Sequence, residues 1–317
     1  MKLKLRAFLA ASFAVFLSGS AIAADKVTVL LDWFVNPDHA TLVIAKEAGF
    51  FKKYGLDVEL IAPSDPSLPP KLVAAGQADL AVSYQPQLHV QVAEGLPLVR
   101  IGTLVATPLN SLVVLEDSPI KSIADLKGRK VGFSVGGFED TMLSAMLGQH
   151  GLTLKDIELI NVNFSLSPSL FAGQVDAVIG AFRNFELNQM DIEKRPGRAF
   201  YVEDEGVPAY DELILVAKSD RVGEEKLVRF MLALQDATNY MLNNNAKSLD
   251  MFIATDKALD NELNRRAWID TMPRFALRPA ALDHGRYTRF AEFMIENGMI
   301  KETPALETYA VDIFAEK

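Results

Sequence analysis

Three short segments of this 317-residue sequence combine side chains that could bind a small molecule. The first, Asp32 to His39, follows an apolar run and places a carboxylate, an indole and an amide close together, in Asp32, Trp33 and Asn36. A carboxylate accepts hydrogen bonds from N–H groups, and stacking on an indole adds about 0.5–1.5 kcal/mol beyond the buried area. The segment is therefore suited to a flat heteroaromatic ligand with exchangeable N–H groups. In the alternative interpretation, Trp33 fills the core beneath a helix cap formed by Asp38.

The second segment is Ser83 to Gln87, which follows the apolar run Leu80 to Val82. Tyr84 offers another ring face, and Ser83 offers a hydroxyl that can donate or accept. The same residues also fit a helix start in which Ser83 is the N-cap and Pro86 stands in the first turn. Both interpretations can hold together, so Ser83 and Tyr84 are candidate ligand contacts.

The third segment is Phe182 to Glu186, which again follows an apolar run. Glu186 could accept hydrogen bonds from an amino-substituted ring that stacks on Trp33 across a crevice. The competing interpretation is an ion pair between Glu186 and Arg183 on a solvated helix turn. The candidate contacts from the second half, including a Gly-rich turn and a residue at the rim, are Gly137, Phe138, Asn184, Glu186 and Tyr210.

No catalytic motif accompanies these segments. The sequence has no phosphate-binding loop, dinucleotide fingerprint, nucleophile elbow or metalloprotease helix. Its 4 histidines do not have the spacing of metal ligands. We therefore expect a protein that binds its ligand without turnover and uses no cofactor or metal.

An internal repeat indicates how the three segments are positioned. Ala75-Gly-Gln-Ala-Asp79 returns almost unchanged as Ala172-Gly-Gln-Val-Asp176, each time between a predicted helix and a short apolar strand. Strands alternate with helices in both halves, which predicts an α/β fold with two doubly wound, parallel sheets. Ligands of such folds bind in the crevice beyond the carboxyl ends of the strands, and all three segments stand at such ends.

The order of elements predicts two lobes. We expect lobe I to comprise residues 24–114 and 214–317, and lobe II to comprise residues 115–213. The chain would cross between them near residues 115 and 214, and these two crossings would form the hinge of a closing cleft. From Glu224 onward, an apolar stripe at helical spacing predicts C-terminal helices that pack against lobe I.

Residues 1–23 have the order of a secretory signal peptide. Cationic residues precede an apolar stretch, Ala7 to Leu17, and the small-residue site Ala21-Ile-Ala23. The stretch is shorter than the roughly 20 residues that a membrane span needs. Because the sequence has no cysteine to carry a lipid anchor, we expect a free protein in an exported compartment, most simply a bacterial periplasm. Its net charge of -9 argues against a nucleic-acid partner, since phosphate chains require a concentrated positive surface.

The order of these segments resembles a known family. Leu31-Asp-Trp-Phe-Val-Asn-Pro-Asp-His39, followed by Ala45-Lys-Glu-Ala-Gly-Phe-Phe-Lys-Lys-Tyr-Gly-Leu56, is similar to the opening of the thiamine-pyrimidine-precursor binding proteins of ABC importers, the ThiY type. The likeness continues through both Gly-Gln-x-Asp repeats and spans most of residues 26–220. It implies a type II periplasmic binding protein, expected to be a monomer, that delivers formylaminopyrimidine or hydroxymethylpyrimidine to an ABC permease in the membrane.

The resemblance also implies roles for particular residues. Trp33 and Tyr84 would form an aromatic clamp, and the polar contacts would come from Asp32 and Glu186. Two further residues match the opening motif of the family, Asn36 and His39.

Three alternatives stay open. Arg183 stands where ThiY-type proteins commonly have an aromatic residue, so the ligand could be riboflavin, another flat heterocycle, a sulfonate or a nitrate. A related enzyme, the yeast-type pyrimidine synthase, has a lysine and a histidine in the segment aligned with Ser83 to Gln87 and a cysteine cluster further on, whereas this sequence has neither. A ligand-sensing domain of a transcriptional regulator would need a helix-turn-helix segment at one end of the chain.

Overall fold

The computed structural model describes residues 24–315, which contain two five-stranded sheets and eleven α-helices. The predicted signal peptide lies outside the described residues. Within them, no helix has both the length and the apolarity that crossing a bilayer requires. The strands are β1 Asp25–Leu30, β2 Leu56–Ile61, β3 Leu80–Ser83, β4 Leu98–Val105, β5 Asn110–Leu115, β6 Lys130–Phe133, β7 Glu158–Asn161, β8 Ala177–Phe182, β9 Gly197–Tyr201 and β10 Leu213–Lys218.

The helices stand between the strands and then fill the C-terminal part of the chain. They are α1 Ala40–Glu47, α2 Phe50–Lys53, α3 Pro69–Ala74, α4 Gln85–Ala93, α5 Glu139–Gln149, α6 Leu166–Phe171, α7 Glu186–Ile192, α8 Glu225–Asn243, α9 Asn245–Ile253, α10 Glu262–Thr271 and α11 His284–Glu296.

The two sheets have the same internal arrangement. The first has the order β2-β1-β3-β10-β4, and the second has the order β7-β6-β8-β5-β9. In each sheet the first three strands are parallel, as the alternation of strands and helices predicts. One strand in each, β10 or β5, runs antiparallel to both of its neighbours. The sheets are therefore mixed rather than fully parallel, because each incorporates a strand that arrives from the other.

The first crossing between the sheets lies earlier than the sequence predicts. Strand β5, residues 110–115, pairs with β8 and β9 and so belongs to the second sheet, whereas the expected boundary at residue 115 assigns it to lobe I. The chain thus crosses at residues 106–109 and returns between β9 and β10. An apolar run shows that a strand is buried, but it does not show in which sheet. Below, lobe I and lobe II denote the first and second sheet with the helices packed on each.

The repeated segments have the same role in both lobes. Gly76 and Gly173 follow α3 and α6 with φ of 75° and 66°, a backbone region that favours glycine. Asp79 then accepts a hydrogen bond from a backbone N–H of β1 at 2.8 Å, and Asp176 accepts one from β6 at 2.9 Å. The repeat joins each helix end to the neighbouring strand, so it shapes the lobes and contributes no pocket wall.

The C-terminal helices pack against lobe I, as the apolar stripe predicts. Helix α8 contacts α1 and α2, and α9 also contacts α1. Helix α10 lies between the lobes, because it contacts both the turn before α1 and helix α7 of lobe II. The stripe residues of α8 that are buried are Leu227, Phe230, Met231, Leu234 and Met241.

Candidate functional site

A pocket of about 380 Å³, including its mouth, lies between the two lobes. It stands beyond the carboxyl ends of β1, β3 and β8, where the three segments begin. Five of the predicted contacts line it: Asp32, Trp33, Asn36, Tyr84 and Glu186. The other lining residues are Asp38, Glu139, Leu166, Gly180, Phe182 and Phe185.

Asp32 is held in place by two other candidates. Its Oδ1 lies 2.8 Å from His39 Nε2, and its Oδ2 accepts a hydrogen bond from the Tyr84 hydroxyl at 2.8 Å. The second ring nitrogen of His39, Nδ1, accepts the backbone N–H of Asn36 at 3.3 Å, which assigns the proton to Nε2. His39 is completely buried and does not line the pocket, so it orients Asp32 rather than facing a ligand.

Asn36 forms the cap that begins the turn before α1. Its Oδ1 accepts the backbone N–H of Asp38 at 2.8 Å, and the ring of His39 completes a capping box. The alternative interpretation, in which Asp38 is the cap, is therefore wrong. The capping box fixes the backbone of residues 36–39, which carry Asp38 and His39.

The aromatic residues pair across the cleft. The Tyr84 ring stacks on Phe138 of lobe II, with centroids 4.3 Å apart. Trp33 contacts Phe164 edge to face at 4.7 Å, and Phe34, half exposed, contacts the same ring at 4.5 Å. Trp33 therefore does not simply fill the core of lobe I, because it packs partly against the apolar cluster of lobe II.

Two glutamates form the floor of the pocket on the lobe II side. Glu139 Oε2 accepts the backbone N–H of Ser134 at 2.6 Å, and Glu186 Oε2 accepts that of Phe182 at 2.7 Å. Burial raises the pKa of each carboxyl group to about 8, although the backbone hydrogen bonds lower it. At neutral pH both are therefore mainly carboxylic acids, which can donate one hydrogen bond and accept others.

A glycine makes room for one of these carboxyl groups. Gly180, in β8, has φ of 100°, and a Cβ built on it would overlap the carboxyl group of Glu139. Its N–H donates to the side-chain oxygen of Asn110 at 2.9 Å, next to an irregularity in the pairing of β5 and β8. Glu139 can therefore reach the pocket only because residue 180 has no side chain.

Asp38 is a fourth carboxyl group in the pocket wall, besides Asp32 and the two glutamates. Burial raises the pKa of Asp38 to about 6, and the hydrogen bond from Asn184 opposes this rise. Its Oδ1 accepts a hydrogen bond from Asn184 Nδ2 of lobe II at 2.6 Å. Asn184 is thus buried between the lobes and is not part of the pocket wall.

Four other predicted contacts lie behind the wall. Ser83 donates to Gln87 at 3.0 Å. It is not the N-cap of α4, because that position is taken by the next residue, Tyr84. Gly137 donates its N–H to Asp140 at 2.8 Å, and Tyr210 donates its hydroxyl to Glu212 at 3.0 Å. Phe138 reaches the site only through its stack on Tyr84.

Arg183 does not face the pocket. It forms two hydrogen bonds with Glu203 at 2.6 and 2.8 Å and lies over the ring of Tyr201 at 4.1 Å. The alternative of an ion pair between Arg183 and Glu186 is therefore wrong. None of the lining residues is lysine, arginine or histidine.

The sequence reasoning missed half of the wall. Glu139 and Asp38 stand in segments that the sequence marks as candidates. Glu139, however, comes after a Gly-Gly turn, and Asp38 has the residue type and position of a helix cap. A signal for Glu139 was available, because it follows the loop after β6, which has the place in the second sheet that β1, the strand before Asp32, has in the first. Leu166 and Gly180 carry no polar group, so nothing in the sequence marks them. Among residues 24–315, no cluster of three or more potential metal ligands occurs.

Two lobes of this topology with a pocket between them define a type II periplasmic binding protein fold. The chain belongs to the NMT1/THI5-like family, which it matches over residues 36–248. It is 56% identical over 294 residues to a putative thiamine biosynthesis protein of Haemophilus influenzae, covering 92% of this chain and 94% of the relative. It is 34% identical over 233 residues to the formylaminopyrimidine-binding protein of Halalkalibacterium halodurans, covering 73% and 71%.

More distant similarities concern an enzyme and the fold. The chain is 25% identical over 286 residues to 4-amino-5-hydroxymethyl-2-methylpyrimidine phosphate synthase of Aspergillus parasiticus, covering 86% and 83%. The periplasmic aliphatic sulphonate binding protein SsuA of Escherichia coli superposes with a TM-score of 0.68 at 17% identity, covering 90% of this chain and 91% of that one. At that identity the superposition shows the shared fold alone.

Proposed function

We propose that this protein is the periplasmic solute-binding subunit of an ABC importer and that it captures a thiamine-related aminopyrimidine, formylaminopyrimidine or hydroxymethylpyrimidine, in the pocket between its lobes. The relative of known ligand, from Halalkalibacterium halodurans, supports this class of ligand. The observation that carries the proposal is the composition of the wall, in which four carboxyl groups and four aromatic side chains surround a pocket without any cationic side chain.

The chemistry of an aminopyrimidine matches this wall. Its ring nitrogen and neighbouring amino group present an acceptor beside a donor, and a carboxylic acid presents the complementary donor and acceptor. Glu139 and Glu186 are such acids at neutral pH because burial raises the pKa of both to about 8. Trp33 and Tyr84 supply faces on which a flat ring can stack. Asp32, fixed by two neighbours, can accept from a further N–H group.

An anionic ligand is disfavoured by the same wall. Sulfonate and nitrate need cationic side chains or free backbone N–H groups. Arg183, the residue that could have supported such a ligand, is paired with Glu203 outside the pocket. A sulfonate would instead meet four carboxyl groups, and those that are ionised would repel it strongly in a buried site.

A synthase activity is also disfavoured. The lysine and histidine that the resemblance assigns to the enzyme are replaced here by residues of the segment Ser83 to Gln87, of which Ser83 and Gln87 bond to each other at 3.0 Å. We therefore propose binding and delivery to a permease, by a protein that the predicted signal peptide exports to the periplasm as a monomer.

Thermal unfolding of the purified protein tests the proposal. Each candidate is added separately: the two pyrimidines, thiamine, riboflavin and taurine. A true ligand at about 100 times its dissociation constant stabilises the protein by about 2.7 kcal/mol. We expect stabilisation by at least one pyrimidine and none by taurine. Stabilisation by taurine without stabilisation by a pyrimidine would overturn the assignment.

A further inference from the structure

Asp38 is the one carboxyl group of the pocket that bonds directly to a side chain of the other lobe. It stands in the turn Pro37–His39 of lobe I and lines the pocket. Its Oδ1 accepts a hydrogen bond from Asn184 Nδ2 at 2.6 Å and lies 3.2 Å from Thr271 Oγ1. Asn184 belongs to the loop between β8 and α7 of lobe II, and Thr271 ends α10.

All three side chains of this group are at least 99% buried. Asn184 Nδ2 also donates to Thr271 Oγ1 at 2.7 Å, and Thr271 Oγ1 donates to the carbonyl of Ala267 at 2.6 Å. The amide orientation follows from chemistry, because a carboxylate cannot donate to an amide oxygen. A hydrogen bond to a buried carboxylate contributes about twice as much as one between neutral groups.

The second oxygen of Asp38 is unused. Oδ2 is buried, and within residues 24–315 it has no hydrogen-bond partner. Buried carboxylate oxygens without a partner are costly, so a ligand N–H that reaches Oδ2 would recover that cost. The two oxygens of one carboxyl group would then hold the ligand and the opposite lobe together.

We propose that Asp38 couples recognition of the ligand to closure of the cleft, with Oδ2 accepting an N–H of the ligand and Oδ1 holding Asn184 of lobe II. This proposal rests on the proposed function, because it requires a ligand with N–H donors. It assigns Asn184 a positioning role: the residue touches Asp38 and not the ligand. Closure would be favoured only when a ligand N–H bonds to Oδ2. Part of the binding free energy would then drive the movement of the lobes.

Titration calorimetry and small-angle X-ray scattering with hydroxymethylpyrimidine test the coupling. The first variant, Asn184→Ala, removes the donor to Oδ1, and the second, Thr271→Val, removes the hydroxyl that accepts from Asn184 and helps to orient it. The matched control is Asp191→Asn, which weakens an exposed bond between helices α10 and α7, from Arg266 to Asp191 at 3.0 Å. Exposed ion pairs contribute little, so the control is expected to bind within about twofold of the wild type.

We expect Asn184→Ala to raise Kd by about tenfold or more, mainly through faster dissociation, and to leave the liganded protein with a larger radius of gyration than the wild type. Thr271→Val should shift both quantities in the same direction by less, and it carries the test if Asn184→Ala does not fold. Wild-type Kd and radius in both variants would overturn the proposal, as would a change of equal size in the control. The absence of wild-type binding to either pyrimidine is a different result, since it defeats the proposed function itself.

Discussion

The ring of Tyr84 in lobe I stacks on the ring of Phe138 in lobe II, with planes 11° from parallel. One face of Tyr84 is therefore occupied by the protein, and its hydroxyl is fixed on Asp32 at 2.8 Å. A ligand therefore cannot stack on that face. The clamp is thus preorganised, because the ring is oriented by contacts within the protein rather than by the ligand.

Replacing Phe138 with Ala should weaken binding and stability together. A buried Phe→Ala change costs about 3–5 kcal/mol of unfolding free energy, and here it also frees the Tyr84 ring to rotate. Phe252→Ala is the matched control, since Phe252 is equally buried but packs on Trp268 of lobe I. Denaturant unfolding should show similar losses of unfolding free energy in the two variants, whereas titration calorimetry should show a raised Kd only for Phe138→Ala. Equal Kd values in the two variants would contradict this role.

Gly180→Ala should damage the floor of the pocket. The new methyl group would overlap the carboxyl group of Glu139, and φ of 100° is strained for any residue with a Cβ. We expect a loss of stability of more than about 1 kcal/mol and a higher Kd. Gly148→Ala, in helix α5 with open space around it, should instead be neutral or stabilising by up to about 1 kcal/mol. A Gly180→Ala protein with wild-type affinity would show that ligand binding does not depend on the position of the Glu139 carboxyl group.

Glu186→Gln should stabilise the unliganded protein increasingly as pH rises. The pKa of Glu186 is raised from 4.5 to about 8, so the folded state holds this proton more tightly than the unfolded state. Its contribution to stability is therefore present below about pH 4.5 and is lost as pH rises through about 8. Because glutamine cannot ionise, the unfolding free energy of the variant should exceed that of the wild type by more at pH 8.5 than at pH 5. An equal difference at both pH values would contradict a buried, protonated Glu186.

Glu212 joins the two crossings between the lobes, and its removal should loosen the hinge. Its Oε2 accepts the backbone N–H of Asn110 at 3.0 Å and that of Leu109, both in or beside the first crossing, as well as the Tyr210 hydroxyl. Glu212→Ala leaves these buried donors without a partner, at about 1–3 kcal/mol each. We expect a large loss of unfolding free energy by denaturant titration, whereas Glu94→Ala, at an exposed helix end, should change it by less than about 0.5 kcal/mol. A small effect of Glu212→Ala would exclude this role.

The sequence predicted the elements better than their connections. The sequence predicts that strands and helices alternate, and helix α1, Ala40–Glu47, forms where the residues around it contain a cap, an apolar face and a terminal glycine. The placement of β5 could not be predicted, since strand order depends on packing between distant parts of the chain. For the site, strand ends identified Asp32, Tyr84 and Glu186. The local backbone conformation decides whether a side chain beyond a strand end faces the pocket or the opposite lobe. Glu186 lines the pocket, whereas Asn184, two residues earlier, bonds to Asp38 of lobe I.

Calorimetric titration with formylaminopyrimidine and hydroxymethylpyrimidine, each compared with taurine, tests the central claim most directly. A pocket of carboxyl groups and aromatic rings should bind at least one pyrimidine with 1:1 stoichiometry, and Glu186→Ala should weaken that binding while taurine gives no heat of binding. Saturable binding of taurine, with no heat from either pyrimidine, would contradict the claim and show that the fold serves an anionic solute here.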